Sequence, residues 1–413
     1  MPVGDINFPE MIPIAGVKLS AVSAGIKKTS ASGESRLDLV LIELPATAKV
    51  AGVYTQNAYC AAPITLCREH AAYSSNSRYL IINSGNANAC TGEQGIQVAL
   101  ATCKAVAIQA GVDCKLVLPF STGVIGEPLP IDKIEKSIPE LFEKLEESHW
   151  PLAAEGIMTT DTCPKGVSKS LVIDGSSDKL IINGIAKGSG MINPNMATML
   201  AYVVTNACVD MQLLQEILIE AVNLSFNRIT IDGDTSTNDS CLLVAAGKSD
   251  IVINDKRSAH YLVFKQAVFE MFKELAQKIV RDGEGATKFV TISVEEGINS
   301  PECLQVAYAI AHSPLVKTAL FASDANWGRI VAAIGYAGVE GLCVDGVRVY
   351  LDDVLIVEKG GRAQSYSEDA GAAVMLKDEI LLRVCLGRGE IHETIWTTDL
   401  THEYITINAE YRT

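Results

Sequence analysis

Residues 187–200 read KGSGMINPNMATML, and this stretch constrains the chain more than any other. It is rich in Gly, Asn and Pro and has no hydrophobic period. An apolar run over 179–185 precedes it, and another begins at Met199. The pattern predicts two buried strands joined by a polar loop, with Thr198 at the point where loop becomes strand. Two glycines and Pro194 supply the backbone freedom and fixed φ for a sharp approach to a β-branched hydroxyl residue. A threonine so placed packs, bonds to nearby backbone, or acts as a nucleophile.

Elsewhere, strands and helices alternate. Residues 38–55 read as two strands, 79–82 and 116–119 as further strands, and 92–110 as a helix ending at Gly111. Residues 131–147 predict a charged amphipathic helix. Asp210 is the expected N-cap of a helix buried along Leu214, Ile217, Leu218, Ala221 and Val222. A long helix spans 258–280, with Leu262, Val268, Met271 and Phe272 on its apolar face. Ser300-Pro301 and Ser313-Pro314 mark helix starts, and 323–329 opens another helix. Residues 344–357 read as a hairpin turning at Asp352-Asp353, and 380–386 and 404–408 as strands. The fold class is therefore α/β, and 413 residues exceed one ordinary core.

The polar strings between these elements carry the chemistry. Asn83 to Gly92 (NSGNANACTG) reads as a tight strand-to-helix connection. In STGVIGE (121–127), Thr122 is either a turn cap or, with the Gly123 amide, a pair of donors to one oxygen. The Thr159-Thr160-Asp161-Thr162 string is a helix exit or a binding loop. Lys187 beside Gly-Ser-Gly reads as a surface lysine or a carboxylate partner. DGDTSTND (232–239) lacks the closing Glu of a calcium loop and suits a loop bonded to backbone near the site. Glu284 between two glycines is a turn residue or a site residue. Arg329 and the helix start beside it suit an anion or simple capping.

Composition excludes several function classes. A net charge of −15 argues against nucleic-acid or anionic-membrane partners, which require a basic face. Eleven cysteines without a CxxC pair and six histidines without HxH or HExxH spacing argue against a metal site and favour reduced thiols. The N-terminus resembles neither a secretory nor a transit peptide, and no uncharged apolar run reaches about 18 residues. Cytoplasm is the expected compartment.

Four strings in order, NSGNANACTG, STGVIGE, KGSGMINPNMATML and DGDTSTND, make the chain resemble the ornithine acetyltransferase (glutamate N-acetyltransferase) family from end to end. The resemblance implies a layered αββα-like sandwich akin to the N-terminal-nucleophile hydrolases in layers but not in topology, with a smaller C-terminal lobe. It also implies self-cleavage between Ala197 and Thr198, giving an α chain (1–197) and a β chain (198–413), two of each in the assembly. Thr198 matches the nucleophile, and Thr122 and Gly123 the oxyanion pair. Thr160, Thr162, Lys187, Thr198, Glu284, Asn408 and Thr413 match substrate-contacting positions, with Thr160 preferred over Thr162. Thr413 stands where many members have serine, and the hydroxyl survives.

The implied reaction is ping-pong acetyl transfer from N-acetylornithine to glutamate through an acetyl-threonine, in arginine biosynthesis. It needs no cofactor, although some members also accept acetyl-CoA as donor. A threonine hydroxyl needs a base, and no histidine lies near the polar strings. Cleavage would supply one, because the freed α-amine has an unperturbed pKa of about 7.7–8.0. Two other readings compete. An amidase or aminopeptidase with the same N-terminal threonine would pass the acetyl group to water. A non-enzymatic anion-binding scaffold would keep its chain whole.

Overall fold

The computed structural model describes residues 1–27, 35–193 and 199–410. They form two compact units, one of residues 7–227 and 234–279 and the other of residues 1–6, 228–233 and 280–413.

The first unit contains, in chain order among the described residues, β1 (Lys18–Val22), β2 (Leu39–Glu43), β3 (Lys49–Tyr54), α1 (Ala62–Tyr73), β4 (Tyr79–Asn86), α2 (Gly92–Ala110), β5 (Val117–Val124), α3 (Ile131–Glu143), α4 (Trp150–Gly156), β6 (Lys165–Val172), β7 (Lys179–Lys187), β8 (Leu200–Thr205), β9 (Cys208–Val209), α5 (Met211–Asn223), β10 (Ser240–Ala245), β11 (Val252–Ile253) and α6 (Ala259–Arg281). One sheet has the order β1-β2-β4-β5 and a second the order β3-β10-β8-β7-β6. Alternate residues of β2 serve two cores. Val40 and Ile42 face the second sheet, in a cluster with Phe120, Tyr202 and Val244. Leu39 and Leu41 face α2 and α3, alongside Val106 and Ile134. A strand buried on both faces reads as an unbroken apolar run, which is how LVLI appears in the sequence. Phe120 and Tyr202 meet edge to face across the inter-sheet core, ring centres 5.4 Å apart. On the outer face of the second sheet, Gly184 leaves room for Met271 and Leu275 of α6. The result is helices, sheet, sheet, helices: the αββα layering expected.

Asp210 caps α5, its carboxylate accepting from the Gln212 amide at 2.9 Å. The five residues expected along the buried stripe of α5 are all buried. Leu262 departs from expectation, since it is 59% exposed near the start of α6.

The second unit contains β12 (Phe289–Gly297), α7 (Ser300–Ala311), α8 (Pro314–Phe321), α9 (Trp327–Tyr336), β13 (Arg348–Leu351), β14 (Val354–Glu358), β15 (Gly361–Arg362), α10 (Glu368–Met375), β16 (Glu379–Cys385), β17 (Ile391–Thr398) and α11 (His402–Ala409). Its sheet has the order β15-β14-β13-β16-β12-β17, and α7 to α10 share one core with it. Here the expected strand over 404–408 is instead helix α11. Its alternation of Tyr, Ile and Ile mimics a strand, but Thr401 caps the segment and none of its residues is buried, so no sheet face claims the apolar side chains. The strand that completes this sheet is β17, whose Ile395 and Trp396 are buried.

Candidate active site

Thr122 and Gly123 sit near the end of β5, which runs parallel to β4. Gly123 has φ +132°, and a β-carbon there would lie 2.3 Å from the Gly85 carbonyl carbon and 2.5 Å from the Asn86 nitrogen. No side chain fits, so the glycine brings two backbones into direct contact. Asn238 fixes the approach to Thr122. Its Nδ2 donates to the Ala87 and Ser121 carbonyls at 2.6 and 2.9 Å, and its Oδ1 accepts from the Thr237 hydroxyl at 2.6 Å. From the other side, Asn83 Oδ1 accepts from the Ser121 hydroxyl at 2.6 Å, and Asn83 Nδ2 donates to the Asn86 carbonyl at 2.8 Å. The NSGNANA and DGDTSTND strings thus meet around one strand end. The second bonds to neighbouring strands and loops, which local sequence cannot reveal.

Lys187 ends β7 and is only 5% exposed. Its Nζ donates to the Thr122 hydroxyl at 3.3 Å, so two residues 65 positions apart share one point. Beneath them lies a buried carboxylate that sequence reading missed. Asp161 Oδ1 accepts from Lys165 Nζ at 2.6 Å and from the Gly188 amide at 2.8 Å, and Oδ2 accepts from the Thr159 amide at 3.0 Å. Burial alone would push this carboxyl up. The Lys165 and Lys187 cations and the bonds from Lys165 and Thr159 outweigh it and hold Asp161 well below the usual carboxylate range. The only sequence signal was an aspartate four residues before a lysine. Thr160, one position away, is half-buried, and Thr162 is exposed.

In the second unit, Glu284 is 8% exposed in the turn after α6, and Asn408 on α11 donates through Nδ2 to its Oε2 at 2.7 Å. Two expected substrate residues, 124 positions apart, therefore touch. Ala197, Thr198 and Thr413 lie outside the described residues. Among the described residues no cluster of three His, Cys, Asp or Glu side chains suits a metal ion, and no helix is long and apolar enough to cross a membrane.

A buried hydroxyl and a glycine amide on one strand end, with a buried ammonium beside them, can stabilise a developing oxyanion and hold a carboxylate. The profile of the ArgJ family matches residues 18–413. Two curated relatives, both called arginine biosynthesis bifunctional protein ArgJ, come from Pseudomonas syringae pv. tomato and Psychrobacter arcticus. Each is 52% identical over 414 residues, covering 100% of both chains. Among solved structures, an arginine biosynthesis bifunctional protein argJ from Bacillus halodurans is 36% identical, covering 49% of this chain and 95% of that one, with a TM-score of 0.47. An ornithine acetyltransferase from Mycobacterium tuberculosis, complexed with ornithine, is 32% identical, covering 44% of this chain and 93% of that one, with a TM-score of 0.36.

Proposed function

This chain belongs to the ArgJ family, and from that premise we propose how its own residues perform the acetyl transfer of arginine biosynthesis. The enzyme moves an acetyl group from N2-acetyl-L-ornithine to L-glutamate, releasing L-ornithine and N-acetyl-L-glutamate. In our reading the transfer runs through an acetyl ester on Thr198.

The first event is self-cleavage. The Thr198 hydroxyl attacks the Ala197 carbonyl, the peptide C–N bond breaks with the proton passing to nitrogen, and water then hydrolyses the resulting ester. Thr198 is left with a free α-amine, which takes the hydroxyl proton in the next attack. Oγ adds to the acetyl carbonyl of N-acetylornithine, and the oxygen that gains charge is held by the Thr122 hydroxyl and the Gly123 amide. Ornithine leaves as its amine is protonated. Glutamate's amine then attacks the acetyl ester and regenerates Thr198.

Lys187 supports both half-reactions. Its Nζ, 3.3 Å from the Thr122 hydroxyl, can pair with the α-carboxylate common to both amino acids while keeping that hydroxyl oriented. Thr160, with Thr162 as second choice, Glu284, Asn408 and Thr413 match the family's substrate-contacting positions, and to Glu284 falls the δ-ammonium. Acetyl-CoA enters this scheme as a second donor to the same threonine, and no cofactor is required. The working assembly holds two α and two β chains in the cytoplasm.

The observation that carries the reading is the Thr122–Lys187 contact beside Gly123, made by two of the four family strings. A denaturing gel of purified enzyme, followed by an ornithine-release assay with and without glutamate, tests it. Two bands for 1–197 and 198–413 are expected, with release sustained only when glutamate is present. Sustained release without glutamate would make the protein an amidase. An active unbroken chain, or full activity in Thr198→Ala, would end the proposal.

A further inference from the structure

The turn carrying Glu284 and the helix carrying Asn408 are joined by a residue that has no role in the scheme above. Thr401 is 4% exposed. Its hydroxyl donates to the Gly285 carbonyl at 2.8 Å and accepts from the Tyr404 amide, in the first turn of α11, at 3.2 Å. The two backbones are in close contact here. Gly285 has φ +66°, and a β-carbon on it would fall 2.7 Å from Thr401 Oγ and 2.6 Å from the Tyr404 nitrogen.

Both ends of this connection are anchored. Asp399 accepts from the Thr287 and Lys288 amides at 2.9 and 3.1 Å, which fixes the far side of the turn. The buried Lys317 ammonium donates to the Thr398 carbonyl at 2.5 Å, which fixes the segment leading into Thr401. Helix α11, by contrast, buries none of its residues fully, so polar ties carry much of its seat. Among its ties to the rest of this unit are three hydrogen bonds, Thr401 to Gly285, the Tyr404 hydroxyl to Asp232 at 3.1 Å and Asn408 to Glu284 at 2.7 Å, and one ring contact, His402 edge to face on Phe321 with centres 5.5 Å apart.

We propose that Thr401 is a positioning residue for substrate binding: through one hydroxyl it sets α11 against the Glu284 turn, so that Asn408 holds Oε2 and Oε1 receives the δ-ammonium of N-acetylornithine. The inference rests on the reading of Glu284 as the ammonium acceptor. The geometry adds that the helix holding the Glu284 carboxylate through Asn408 is tied in its first turn to the Glu284 turn by the Thr401 hydroxyl.

Thr401→Val keeps the shape and removes the hydroxyl, leaving both the Gly285 carbonyl and the Tyr404 amide without it. The expected result is a rise of about tenfold in KM for N-acetylornithine with kcat changed less than about threefold, and normal cleavage into two bands. Thr401→Ser, which retains the hydroxyl, should restore the wild-type KM, an outcome that mere loss of packing would not produce. A wild-type KM in Thr401→Val, with Glu284→Gln strongly impaired, would overturn the role of Thr401 and leave that of Glu284 standing. An unchanged KM in Glu284→Gln would instead remove the ammonium reading, and the Thr401 proposal with it. Should Thr401→Val fail to fold, hydrogen exchange on the wild type decides. Ornithine must raise protection at Gly285 and across 402–409 together, and protection at either segment alone would overturn the proposal.

Discussion

Lys187 shows at the residue scale how burial changes the meaning of a side chain. A lysine beside a Gly-Ser-Gly loop ordinarily extends into water, but here the residue is only 5% exposed and its ammonium bonds to the Thr122 hydroxyl. Lys187→Met should raise KM for both amino acids by roughly tenfold or more, since a charge-assisted bond to a carboxylate is lost. Steady-state kinetics with an unchanged KM would remove the carboxylate role. Asp161 makes a prediction in pH. Because its folded pKa is depressed, its contribution to stability is complete above the unfolded value of about 3.9 and is lost as pH falls through the folded value. Asp161→Asn should cost about 3 kcal/mol or more near neutral pH, because it strips the partner from a fully buried Lys165. Urea melts of both proteins should converge progressively below about pH 4, and a constant gap would contradict the assignment. Lys187 was legible because it belongs to a long string. Asp161 was not, since its partners Lys165 and Gly188 become meaningful only once β6 and β7 lie side by side.

Among the elements, β5 illustrates a strand end built for function. Its parallel neighbour β4 comes so near that Gly123 admits no β-carbon. Gly123→Ala should therefore destabilise by several kcal/mol, about 1–3 from overpacking and about 1–3 from a φ that L residues avoid. Gly335→Ala, on α9 where an added methyl meets nothing within 4 Å, should leave the melting temperature unchanged or raise it. Equal losses in the two variants would show that contact with β4 is not what constrains Gly123. The same scale explains the error over 404–408. Alternation identifies a strand only if a sheet face exists to bury one side, and the sheet of that unit ends at β17. With no such face, the N-cap from Thr401 decides for a helix. The stripe of α5 was readable for the converse reason: an amphipathic face with a core against it keeps its period.

For the whole molecule, the covalent cut proposed at 197–198 runs through a single sheet. β7 on one side of it pairs antiparallel with β8 on the other, from Ile182–Thr205 to Lys187–Leu200, and β3 pairs with β10 in the same sheet. The two products should therefore remain together under native conditions and separate only under denaturing ones. Size-exclusion chromatography followed by a gel should find 1–197 and 198–413 co-eluting in equal amounts, and separation in native buffer would argue against cleavage within this architecture. The α/β class and most of the strands and helices were decided by the sequence, because apolar period, caps and turn chemistry act over a few neighbouring residues, while the layering and the candidate residues were legible only through the four family strings. Tertiary structure alone decided which distant strings meet: Thr122 with Lys187, Asn238 with Ser121, Glu284 with Asn408. Hydrogen bonds and ion pairs act over about 3 Å in space whatever the separation along the chain, and only the packing of sheets and helices sets that distance.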